Sequence, residues 1–195
     1  MVARRERASL FCARGRLDAP VPGRSASPLG ATSVTYRCAT CRGLHEGLPD
    51  VAYRWPDPYF DVPESERSSR VRGDSDTCAR DFFIRGVILI PIKETSDHFG
   101  VGVWVSQKRE NFETYLKNSD MSGIGPFFGW LCNTLPFYES STWALKTRAH
   151  FQGNNQRPLI EIAPCDHPLY LDYSAGVTLE RAWQLYHTRE RSRGT

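Results

Sequence analysis

The run Phe82-Phe83-Ile84-Arg85-Gly86-Val87-Ile88-Leu89-Ile90-Pro91-Ile92 decides how the rest of the chain is arranged. Its apolar residues are too continuous for a strand wet on one face, so it predicts a strand placed centrally in a sheet. Lys93 to Asp97 is polar and turn-like. Phe99-Gly100-Val101-Gly102-Val103-Trp104-Val105 then alternates glycine with large apolar residues. The two runs predict an antiparallel hairpin with a loop of about five residues. Its glycines leave room for a neighbouring backbone or an aromatic ring.

Downstream of the hairpin, Ser106 is a candidate N-cap for a helix over 107–118, with Phe112, Tyr115 and Leu116 on one face. Gly123 to Pro126 reads as a loop, and Phe127 to Leu131 is apolar. Thr142 to Phe151 and Pro158 to Ala163 alternate well enough to be strands. Thr178 caps a last helix reaching residue 190, with Leu179, Ala182, Trp183 and Tyr186 on one face. Upstream, Val34 to Arg37 is a short strand, Pro56 and Pro58 force an extended path, and Pro63-Glu64 starts a short charged helix. The expected fold class is α+β: a single domain over 34–190, with a mostly antiparallel sheet and two or three helices. Residues 191–195 read as a frayed tail.

The chain has 195 residues, 40% hydrophobic and 12% aromatic. That is enough apolar surface for one proper core, and it excludes global disorder. No apolar run approaches the ~18–20 residues that span a bilayer. Residues 1–33 carry six arginines against Glu6 and Asp18, a net of +4, so the remainder of the chain holds −1 of the total of +3. This Arg/Pro/Ser-rich stretch reads as a disordered extension. An organelle transit peptide is the alternative, and the two acidic residues count against it. The basic balance therefore belongs to the extension. With no basic stripe or aromatic-interleaved motif in the folded part, nucleic acid is not the expected partner.

Six cysteines are present: Cys12, Cys38, Cys41, Cys78, Cys132 and Cys165. Without a secretory h-region the expected compartment is a reducing cytoplasm, where a Cys-x-x-Cys is metal-binding or redox-active. Cys38-Ala39-Thr40-Cys41-Arg42-Gly43-Leu44-His45 is the densest metal-capable stretch. A tight Cys-x-x-Cys turn supplies two of the four N/S ligands that structural Zn²⁺ wants. His45 follows closely enough to return, and Cys78, just before the central strand, is the expected distant ligand. The expected set is Cys38, Cys41, His45 and Cys78, with His167 the alternative to His45. A redox pair and plain reduced thiols are the competing readings, and no strand–Cys-x-x-Cys–helix context supports the redox one.

A second group is a candidate pocket: Asp76, Arg85, Trp104, Trp130, Arg157 and His167. Arg85 inside an apolar strand needs a partner or marks a cavity. Trp104 and Phe128-Gly129-Trp130 with Asn133 read first as ordinary core, since aromatics dominate cores, with a pocket wall as the alternative. His167 beside Asp166 is either a base or a structural histidine. His98 and His150 read as ordinary strand-edge residues, and Cys132 and Cys165 as core or near-core thiols.

The motifs together resemble one family. They are Cys38-x-x-Cys41, His45-x-Gly47-Leu48-Pro49, Tyr59 with Val62-Pro63-Glu64-x-Glu66-Arg67, Asp76-x-Cys78, Phe83-Ile84-Arg85-Gly86-Val87 and Gly102-Val103-Trp104-Val105-Ser106. Phe128-Gly129-Trp130-Leu131, Leu135-Pro136, Arg157-Pro158, His167-Pro168-Leu169 and Gly176-Val177-Thr178 follow in order. The chain is similar to the DUF2199 family over roughly 34–187. One departure is Arg42, which stands between Cys41 and Gly43 where the family has Cys-Gly directly, so the glycine is shifted by one. The resemblance implies a mainly bacterial, uncharacterised protein and brings no activity with it. The expected function is a zinc-stapled binding or interaction module. A small enzyme with a pocket near Arg85, Trp104 and His167 is the first alternative; an inhibitor or immunity-type protein that binds another protein is the second.

Overall fold

The computed structural model describes residues 35–72, 75–78 and 81–193. The expectation for 1–33 lies outside the described residues. In chain order the strands are β1 (Thr35–Arg37), β2 (Leu44–Glu46), β3 (Val51–Ala52), β4 (Val71–Arg72), β5 (Ser75–Cys78), β6 (Asp81–Pro91), β7 (His98–Gln107), β8 (Phe127–Trp130), β9 (Lys146–His150) and β10 (Leu159–Ile162). The helices are α1 (Glu64–Arg70), α2 (Arg109–Lys117), α3 (Pro168–Ala175) and α4 (Leu179–Arg193). This is a single α+β domain.

The hairpin predicted from the central run is its spine. β6 and β7 pair antiparallel from Phe82↔Gln107 to Pro91↔His98. The turn closes through Ile92 N–H donating to Asp97 O at 3.0 Å. The strand order is β3-β7-β6-β10-β9-β8, with β3–β7 and β6–β10 parallel and the other pairs antiparallel. β5 adds to the start of β6, β4 pairs with β5, and β1–β2 form a separate small sheet.

Alternation assigns the two faces of the hairpin. Ile84, Ile88, Ile90, Phe99, Val101, Val103 and Val105 point to one side, and all are completely buried. Ile160, Ile162, Leu131, Leu169, Ala182 and Trp183 join them in the main core. The other side carries Phe83, Arg85, Val87 and Trp104. There Trp104 packs with Val62, Phe83 and Cys132 in a smaller cluster, and its indole N–H donates to Tyr53 O at 3.1 Å. Trp104 is thus core, as is Asn133, whose Oδ1 accepts from Trp104 N at 2.8 Å.

Close backbone approach explains the hairpin glycines. A Cβ on Gly102 would meet Ala52 Cβ at 3.0 Å, and one on Gly100 would lie 2.7 Å from the Asp50 carboxyl, which instead accepts from Gly100 N at 2.8 Å. The far end of the sheet curls back toward β7. Leu131 bridges Val105, and Cys132 N donates to Trp104 O at 2.8 Å. The seam is tight enough that a Cβ on Gly129 would sit 2.2 Å from Ser106 O.

Two expectations need correcting. Ser106 does not cap α2, because the β6–β7 ladder holds 106 and 107 extended; the helix starts at Arg109 after Lys108, with no side-chain cap. The Ser106 hydroxyl instead accepts from Trp130 N at 3.1 Å. The last helix runs to Arg193, so helix extends into the stretch read as a tail. Thr178 caps it as expected, its hydroxyl accepting from Arg181 N at 3.1 Å.

Candidate metal centre

β1 and β2 form a short antiparallel hairpin with Tyr36 opposite His45. Its loop is a knuckle. Arg42 N donates to Cys38 O at 2.8 Å, Cys38 N to Gly43 O at 2.9 Å, and Gly43 N to Cys41 Sγ at 3.4 Å. The turn passes through the left-handed region at Arg42, φ 63°, one residue before the glycine that would adopt it most easily. It aims both sulfurs and the His45 ring at α4.

Four donors converge there. Cys41 Sγ lies 3.0 Å from His45 Nε2, and Cys38 Sγ lies 3.3 Å from His187 Nε2. All four ligand atoms fall within 4.8 Å of one another. A tetrahedron built from Zn–S and Zn–N bonds of about 2.0–2.3 Å has edges of about 3.3–3.8 Å, so small side-chain adjustments suffice to close the shell. Two thiolates and two imidazoles suit Zn²⁺ among the divalent cations. With four protein donors, such a shell has no position left for substrate.

The surroundings favour the ligating forms. Burial alone raises the Cys38 thiol, but hydrogen bonds from the Cys41 and Thr40 backbone and side chains outweigh it, so the net shift is downward, toward thiolate. Burial, then the neighbouring His45 and Arg191, push His187 down and keep its ring neutral. His45 stacks on Trp183 with centroids 4.0 Å apart, and His187 lies one helical turn further along α4, 5.6 Å from the same indole. Trp183 is therefore the platform on which both imidazoles rest.

Three of the four expected ligands, Cys38, Cys41 and His45, come together. His187 joins them and was not singled out from sequence, although its spacing from Trp183 puts it on the same apolar helix face as the predicted core residues. Cys78 sits in β5 opposite Asp81, and its side chain lies outside the described residues, as does that of Asp76, which pairs with Phe83. His167 serves elsewhere. Its Nδ1 accepts from Leu169 N at 3.0 Å as the N-cap of α3, and its Nε2 lies 3.2 Å from Ser140 O.

Of the remaining pocket candidates, Arg85 and Trp104 are cross-strand partners. Arg157 lies on the turn before β10. Trp130 borders a cavity of about 310 Å³ at the β7–β8 seam, lined also by Pro58, Phe83, Ser106, Cys132 and Trp143. Among the described residues, no helix is long and apolar enough to cross a membrane.

No curated protein and no solved structure matches the chain. A family model described as an uncharacterized protein conserved in bacteria matches residues 37–177, which takes in Cys38, Cys41 and His45 and stops short of His187. With well over half its length matched, the chain belongs to the DUF2199 family.

Proposed function

We propose that this protein is a binding module whose N-terminal hairpin is stapled to α4 by one Zn²⁺ held by Cys38, Cys41, His45 and His187. The observation that carries the reading is the convergence of four N/S donors from a two-residue-spaced cysteine turn, a strand and a distant helix. Closed four-ligand shells of this composition contribute to folding and do not turn over substrate. The free thiolates the site requires fit a reducing cytoplasm. The face offered to a protein partner is aromatic. Phe128, Trp130 and Trp143 are 46%, 42% and 45% exposed; the two tryptophans line the seam cavity and Phe128 packs edge-on against Trp130. Aromatic side chains in that state are common anchors of protein–protein contacts.

Metal analysis of protein purified under reducing conditions tests the reading. One equivalent of zinc is expected, lost in Cys38→Ser and in His187→Ala, and kept in Cys78→Ser. Zinc lost in Cys78→Ser but kept in His187→Ala would transfer the fourth position to Cys78. Absence of any tightly held metal after refolding with Zn²⁺ would end the staple.

A further inference from the structure

A second cavity, of about 470 Å³, lies beside β6, β9, β10 and α3. Val87, Leu89 and Leu159 form its aliphatic floor, β9 and β10 supply His150 and Glu161, the loop after β9 supplies Gln152, and α3 supplies Tyr173. Leu159 is left 36% exposed. Size and lining match those of small-molecule sites: mostly apolar, with a few converging polar groups.

The polar groups are arranged in a definite way. His150 Nε2 lies 2.6 Å from Glu161 Oε2, and Glu161 Oε1 lies 3.7 Å from Arg148 Nη1. One carboxylate is therefore engaged by both a histidine and an arginine, so the rim is neutralised internally and offers a charged ligand no uncompensated partner. In its neutral form the ring donates from Nε2 to this carboxylate and presents Nδ1 as an acceptor. Gln152 Nε2 donates to His150 O, which leaves its Oε1 to accept. Burial, then the nearby Glu161, raise the Tyr173 phenol and keep it a donor at neutral pH. Among the described residues, neither His150 Nδ1 nor the Tyr173 hydroxyl makes a hydrogen bond.

We propose that this cleft binds an uncharged, mainly apolar small molecule bearing a hydroxyl, with the body on Val87, Leu89 and Leu159 and the hydroxyl between Tyr173 and His150. The proposal is independent of the metal reading, since the cleft shares no residue with the zinc shell.

The test uses the full chain as purified, with 1-naphthol as probe and amide NMR shifts as readout. Saturable shifts confined to β9, β10 and α3 are expected. Two controls separate the contributions: 1-methoxynaphthalene, which lacks the donor, is expected to bind at least about tenfold more weakly, and 1-naphthoate, which is charged, more weakly still. Leu159→Trp fills the floor and should abolish binding. Tyr173→Phe should weaken 1-naphthol and its ether alike, severalfold, because the oxygen of either accepts from the phenol. Should Leu159→Trp fail to fold, Tyr173→Phe decides. Equal affinity for 1-naphthol and its ether, or no saturable shift up to about 1 mM probe, overturns the proposal.

Discussion

His45 lies nearly face to face on Trp183, with centroids 4.0 Å apart and planes 25° from parallel, so a residue of the β1–β2 hairpin rests on the completely buried indole of the last helix. Tyr36 stacks on the same indole from further out, 6.4 Å between centroids. The contact is both packing and alignment, because it fixes the plane in which the His45 Nε2 lone pair can reach an ion.

Trp183→Ala should therefore act twice. Loss of a buried tryptophan costs about 3–5 kcal/mol of stability. Zinc affinity should fall as well, because His45 and His187 lose their common support. Urea midpoints with and without chelator separate the two: the chelator-induced drop should be smaller in the variant than in the parent.

Metal removal from the parent is the companion prediction. Zinc that binds only the folded chain stabilises it by mass action. Chelation should lower the thermal midpoint, and hydrogen exchange should then rise first in β1, β2 and the C-terminal turns of α4. An unchanged midpoint in purified, zinc-replete protein would show that the site contributes nothing to folding.

Asn133 joins three segments from a fully buried position. Besides accepting from Trp104 N, it donates to Trp55 O at 2.9 Å and to Asp57 Oδ1 at 3.2 Å. Asn133→Ala strips partners from buried backbone groups and should cost about 2–3 kcal/mol, read from the denaturant midpoint.

At the curled seam, Gly129→Ala should be worse than its one added methyl suggests. The Cβ would fall on a backbone oxygen, and the Ser106–Trp130 hydrogen bond holds that backbone in place. A loss of at least about 2 kcal/mol is expected. Gly123→Ala makes the contrast: nothing lies within 4 Å of its Cβ position, so only the positive φ of 83° penalises it.

Alkaline pH should loosen the fold. Burial, with the neighbouring Asp172, raises the Tyr138 phenol, and burial also raises that of Tyr53. The native state thus favours the protonated phenols more than the unfolded chain does. Their stabilising contribution is present below the unfolded value near pH 10 and is lost as pH rises beyond it. Tyr138→Phe should flatten this decline above about pH 10, and at neutral pH should cost about 1 kcal/mol through loss of the 2.9 Å bond to Asp172.

The central hairpin was legible because its cause is local: continuous apolar residues, a polar turn, and glycines whose lack of Cβ admits β3. The knuckle was legible for the same reason, as spacing alone forces Cys38 and Cys41 into one turn. His187 was not, because its role depends on which face of α4 meets the hairpin. That is settled by Trp183 packing and by no local pattern. The pairing of His150 with Glu161 was equally hidden. It needs the β9–β10 register, which places Leu159 opposite His150 and Arg148 opposite Glu161. Asn133, read as a cavity wall or core, turned out to be core because the seam brings Trp104 N within its reach.

The contact between Cys38 and His187 spans 149 residues, so the folded path comes close to a closed ring. An ion at that junction would clasp the ring. A protease cutting one exposed loop inside it would then produce two fragments that migrate as one under native conditions, and they would part readily only when the clasp is opened by a chelator.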